Sequence, residues 1–132
     1  MSTYHLFISQ SWRYSDAYER LQDLLRMEPA FTFQGHSVPA PHPVIELDAQ
    51  AFEQAIVEHL RPCSALVIMA GVYPTFGKWI DKEIEVARRL GKPIIAVKPF
   101  GPERISPTVR NAANAECGWS TRTIVGAITL HA

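Results

Sequence analysis

Residues 64–98 read SALVIMAGVYPTFGKWIDKEIEVARRLGKPIIAVK, and the order of patterns inside this stretch decides the fold. The opening SALVIMAG is continuously apolar, without the alternation of a half-exposed strand, as a strand buried on both faces requires. The following VYPTFG carries a proline and a glycine and reads as a loop. From Lys78 to Leu90 the apolar residues Trp79, Ile80, Val86 and Ala87 recur at helical spacing, with Gly91 placed as the C-terminal cap. PIIAVK, 93–98, is then a second strand. Strand, helix and strand in that order imply parallel strands joined by a right-handed crossover.

Working outward, YHLFIS at 4–9 is a first strand, and Ser15 or Asp16 caps a helix with Tyr18, Leu21, Leu24 and Leu25 on one face until Pro29. FTFQ at 31–34 is a second, weaker strand, and GHSVPAPHPV at 35–44 holds three prolines and a glycine, a long stiff loop. Asp48 caps a second helix along Phe52, Ile56 and Leu60 until Pro62. Beyond Lys98, Ser106 and Pro107 open a short helix and CGW at 117–119 reads as a last short strand. Ile124, Val125 and Ile128 mark one face of a closing helix. The expected fold class is therefore α/β: a flavodoxin-like, doubly wound parallel sheet of about five strands, helices on both faces, ordered 2-1-3-4-5.

Composition narrows the function classes. The 132 residues are one domain's length, and 47% hydrophobic residues suffice for one core spanning residues 1–132. Lys and Arg total 13 against 13 Asp and Glu, so there is no global field for nucleic acid or an anionic membrane. The longest apolar run, ALVIMAGV at 65–72, is far shorter than a membrane span, and Met1 is not followed by a signal-peptide pattern; a cytoplasmic location is expected. Cys63 and Cys117 make no metal-like spacing or disulfide framework and read as small buried hydrophobes.

In this sheet order ligands bind beyond the carboxyl ends of strands 1 and 3, which brings together the loops at 9–14 and 71–78 and the start of the Glu83 helix. Phosphoryl-receiver chemistry needs acids there, and the chain has Ser9, Gln10, Ala70 and Gly71. Neither a dinucleotide fingerprint nor a phosphate-binding glycine loop occurs. The histidines at 5, 36, 42, 59 and 131 have no metal-ligand spacing; His36 and His42 share a loop, but two imidazoles make no site, and no metal is expected.

Three carboxylates lie on the central helix. Glu85 sits beside Arg88 and Arg89, and Asp81 beside Lys78, as solvated charges do. Glu83 is different, because its neighbours three and four positions away are Trp79, Ile80, Val86 and Ala87. On one reading it lies at the stripe's edge, reaches water and gains roughly 0.3 to 1 kcal/mol from the helix N-terminus. On the other it faces a cleft, partly desolvated, where it can stabilise developing positive charge or accept hydrogen bonds from substrate hydroxyls. Spacing alone leaves both open.

FISQSWRYSD at 7–16, GHSVP in the stiff loop, ALVIMAGVY and KWIDKEIEVARRLGKPIIAVKPFG together resemble the TIR-like family that supplies the ThsB component of Thoeris anti-phage defence systems. The resemblance covers nearly the whole chain. Trp79 and Glu83 match the W-x-x-x-E spacing that carries the catalytic glutamate of NAD-consuming TIR enzymes, so the resemblance implies that role for Glu83. It further implies cleavage of the nicotinamide–ribose bond of NAD and conversion of the ADP-ribosyl group into a diffusible nucleotide signal for a partner effector. NAD would be substrate, with no cofactor. A phage trigger and self-association are further partners it implies.

The same resemblance puts Phe7, Ser9 and Trp12 along one wall of the NAD pocket and lets Tyr73 and Trp79 stack on a base or nicotinamide. From the residues themselves, Phe7 is equally a core side chain, Trp12 a surface aromatic, and Tyr73 and Trp79 a cover on the helix. Gln10 stands where family members often have histidine, which argues against an acid or base role there. The 35–43 loop corresponds to a segment through which TIR domains self-assemble, but it lacks the arginine and aspartate of receptor-type loops. The alternatives to a TIR enzyme are a non-enzymatic adaptor working through the TIR-like surface and, in a related fold, a nucleoside deoxyribosyltransferase.

Overall fold

The computed structural model describes residues 3–9, 16–36, 49–69, 73–98 and 107–132. Its elements follow in the order β1 (Thr3–Ile8), α1 (Asp16–Arg26), β2 (Thr32–His36), α2 (Ala49–Leu60), β3 (Ala65–Met69), α3 (Tyr73–Arg89), β4 (Ile94–Val97), α4 (Pro107–Ala112), β5 (Ala115–Cys117) and α5 (Thr121–His131). All four strand pairings are parallel, and the sheet order is β2-β1-β3-β4-β5, as the alternation of patterns predicts. Chain direction across the sheet reverses between β1 and β3, which makes their carboxyl ends the topological switch point.

The sheet divides the core in two. Because side chains alternate across a strand, β1 sends Phe7 to one side and Leu6 and Ile8 to the other. Phe7 packs with Ile56 and Leu60 of α2, Ile80 and Ile84 of α3 and Val109 of α4. Leu6 and Ile8 pack with Leu21 and Leu25 of α1 and Ile124 and Ile128 of α5. β4 is buried at every position, in agreement with its unalternating sequence. Thr121 Oγ1 donates to the Leu24 carbonyl at 2.6 Å, which ties α5 to α1 on the second side.

The structure changes four sequence expectations. Gly35 and His36, read as the start of the stiff loop, still belong to β2. The central helix starts at Tyr73 and not near Lys78, since a proline in the first turn of a helix breaks no intrahelical bond. The last strand is Ala115–Cys117, two residues earlier than expected; Ala115 and Cys117 pair with Ile95 and Val97, while Gly118 and Trp119 lead into the Ser120 cap of α5. Asp16 is already helical instead of capping α1. The capping roles of Ser15, Asp48 and Ser106 and the stiff loop beyond His36 lie outside the described residues. At the end of α3, Gly91 adopts φ 69°, the left-handed conformation of a C-terminal cap, and the Lys92 N–H closes back on the Ala87 carbonyl at 2.8 Å.

Candidate functional site

Ser9 follows β1 directly and continues its ladder, with its N–H bonded to the Val67 carbonyl of β3 at 2.9 Å. Its side chain falls on the Phe7 side of the sheet by strand alternation, the side that α3 covers. There its hydroxyl donates to Glu83 Oε1 at 2.6 Å. Both groups have 0% exposure, and they are the buried polar residues of the described core. The bond joins the carboxyl end of β1 to α3 at the switch point, where ligands bind in sheets of this order.

Burial removes one of the two readings left open for Glu83. The solvated-edge reading fails, because no part of the residue reaches water. The dipole argument fails with it: Glu83 lies in the second half of Tyr73–Arg89, and the N-terminal effect does not extend past the first turn. Ionising a buried carboxylate is costly unless hydrogen bonds compensate, and Ser9 supplies one. Neither Ser9 nor Glu83 has this as its sole interaction. A 2.6 Å O–H···O contact falls in the short range typical of a hydroxyl donating to a charged oxygen.

The exposed carboxylates of α3, Asp81 and Glu85, behave as solvated charges, and Glu85 takes another partner than expected. Glu85 pairs with Lys82 at 3.1 Å, and Lys82 also reaches Glu53 of α2 at 3.2 Å. Hydrogen bonds that the Lys82 ammonium donates to Glu85 and then Glu53 hold it above its ordinary range. Arg89 turns to Glu53 at 3.6 Å, and Arg88 reaches only the Asn111 carbonyl, at 3.5 Å. Lys78, the expected partner of Asp81, has a side chain outside the described ones.

Of the other candidate residues, Phe7 has no exposed surface and packs in the core beside α2 and α3. Trp12 and Gln10 lie outside the described residues; Tyr73 and Trp79 belong to α3, with side chains outside those described. Two surface clefts, of about 380 and 520 Å³, lie away from Glu83, one along α1 and β2 and the other between the ends of α3 and α5. Among the described residues no group of three or more His, Cys, Asp or Glu is arranged to hold a metal. No helix among them is long and apolar enough to cross a membrane.

One contact escaped the sequence reading. His36 ends β2 and meets His5 of β1, Nδ1 of His5 lying 2.9 Å from Nε2 of His36. Register puts Phe7 opposite His36 and Gln34 opposite His5, so the two imidazoles are diagonal neighbours on one face. Burial, then the imidazoles of His5 and His59, pushes His36 below the ordinary histidine range. Adjacency of strands 1 and 2 was the available signal, but the pairing register was not. His42 lies outside the described residues.

A family model described as Thoeris protein ThsB, TIR-like domain, matches residues 7–104, a span that includes Phe7, Ser9 and Glu83. The chain belongs to that family. Membership implies a role in Thoeris defence for this ThsB-like domain. No curated protein matches it. Among solved structures, a 3-dehydroquinate dehydratase-like protein from Bifidobacterium longum is similar with a TM-score of 0.55 and 9% identity, covering 99% of this chain and 95% of that one. A de novo designed Rossmann 2x3 fold protein is similar with TM-score 0.49, 9% identity, and coverage of 96% and 86%. The CMP N-glycosidase BcmB of Clostridium botulinum gives 0.47, 14%, and coverage of 95% and 98%. At these identities the first likeness shows the α/β fold of the ThsB-like domain and nothing more.

Proposed function

We propose that this chain is an NAD-consuming enzyme that breaks the nicotinamide–ribose bond and turns the ADP-ribosyl group into a signal for a partner effector in anti-phage defence. The observation that carries the reading is the Glu83 carboxylate, buried at the switch point and held by Ser9. When that bond breaks, its electron pair leaves with nicotinamide, which departs neutral, and positive charge develops on the ribose. A carboxylate beside the ribose stabilises that charge more in the transition state than in the ground state. The leaving group needs no proton, so the chemistry requires no general acid. Addition of a nucleophile at the same carbon completes the reaction. Water gives ADP-ribose, a group of the same molecule gives a cyclic isomer, and an amino-acid group gives a conjugate. Of the residues expected along the NAD pocket, Trp12, Tyr73 and Trp79 are proposed to line it, while Phe7 packs in the core and Ser9 faces Glu83.

Glu83 has no exposed surface, so a ribose reaches it only once the groups above it separate. That burial also favours a second reading, a non-enzymatic adaptor in which Glu83 is structural. One experiment separates the two. Concentrated parent and Glu83→Gln protein are incubated with NAD, with and without lysate of phage-infected cells, and small molecules are read by mass spectrometry. The expected outcome is nicotinamide release that falls about 100-fold or more in the folded variant, as when an electrostatic stabiliser of a transition state is removed. The mass of the second product names the signal class. Equal turnover by both proteins removes Glu83 from the chemistry, and no turnover or NAD binding under any condition leaves the adaptor.

A further inference from the structure

We infer that Ser9 is the positioning residue for Glu83, a hydroxyl that orients the carboxylate and keeps it ionised, and does not itself bind substrate. This rests on the proposed NAD chemistry for its catalytic consequence, but the Ser9–Glu83 bond stands independently of it. A serine hydroxyl has one proton to donate, and here it points to Glu83 Oε1 at 2.6 Å. The donor is rigidly placed, because the Ser9 N–H is fixed to Val67 of β3 and β1 is paired on both edges. The acceptor sits on a separate element, and a glutamate has three side-chain torsions to restrain. A buried anchor on the sheet restrains them better than any solvent-exposed partner could.

The hydrogen bond also acts on charge. A hydroxyl that donates to a carboxylate favours its ionised form, whereas burial favours the neutral acid. Among the described charges of α3, Asp81 and Glu85 are exposed, Lys82 is held by Glu53 and Glu85, Arg89 pairs with Glu53 and Arg88 reaches the Asn111 carbonyl. Ser9 thereby opposes the tendency of a buried glutamate to take up a proton and lose the charge that the ribose cation requires.

The test compares parent, Ser9→Ala and Ser9→Thr by two readouts. The first is carbon-13 NMR titration of the Glu83 carboxyl, assigned by its disappearance in Glu83→Gln, and needs no turnover. The Ser9→Ala titration is expected to move up by about one pH unit or more, with Ser9→Thr close to the parent. The second is nicotinamide release against pH. Here Ser9→Ala is expected to lower kcat about tenfold or more, move the acid limb upward and change KM little, with threonine restoring the profile. An unchanged Glu83 titration in Ser9→Ala overturns the inference, and so does a rise in KM at constant kcat, which marks a substrate-binding serine. Absence of turnover in the parent would sink the NAD reading, while the NMR titration would still decide what Ser9 does.

Discussion

Burial favours the neutral form of an acid, carboxyl and thiol alike, and among the described residues the two cysteines have no hydroxyl anchor such as the one Ser9 gives Glu83. Burial of Cys63 raises its thiol to about 11, against a smaller opposing effect of the Lys92 charge, and its Sγ contacts the His59 carbonyl at 3.2 Å. Burial raises Cys117 as well. A thiol raised in this way has almost no thiolate at neutral pH, and the thiolate is the reactive form. A colorimetric thiol titration of native protein at pH 8 is therefore expected to find neither cysteine reacting rapidly, and both reacting after denaturation. A fast-reacting native thiol would contradict the packing around it. The small hydrophobic character of these cysteines was legible in their spacing, and so was the oddity of Glu83. What surrounds Glu83 was not, because Ser9 is 74 positions away in sequence and only the closed sheet brings it near.

At the scale of elements, periodicity and turn signals located the described strands and helices, with β5 placed two residues late, and left the ends to local chemistry. Pro74 looked like a loop residue and proved to open α3, because the first turn of a helix needs no N–H there. Gly91 was read correctly as a stop, since only a left-handed residue turns the chain back on α3. Two glycines make a paired prediction. A Cβ on Gly91 meets nothing within 4 Å, so Gly91→Ala costs backbone strain alone, about 1 kcal/mol. Gly126 lies inside α5 with equally open space around it, so Gly126→Ala removes only unfolded-state freedom and stabilises by about 0.5 to 1 kcal/mol. Urea denaturation of the two variants is expected to shift in opposite directions; equal shifts would contradict the assigned backbone at one of them.

For the whole molecule, strand order was legible because crossover handedness and short connections leave few ways to lay five parallel strands in this length. Register was not legible, and the His5–His36 contact came with it. Burial of His36 gives stability a pH dependence. His36 titrates below its ordinary 6.5 in the folded state, so between that lowered value and 6.5 the unfolded chain binds more protons. Stability is then complete above 6.5 and falls as pH drops towards the folded value. Urea midpoints at pH 7.5 and 5.5 are expected to differ more for the parent than for His36→Gln, and an equal difference would remove His36 as the cause. The two-sided core has another consequence, for the history of the sequence. Leu21, Leu25, Ile124 and Ile128 answer only to volume, whereas Phe7, Ile80 and Ile84 share their side of the sheet with the Glu83 carboxylate. Under the role proposed for Glu83, substitutions behind the sheet need only keep volume while those in front must also keep the carboxylate's surroundings, so kinship is expected to fade first on the α1 and α5 side.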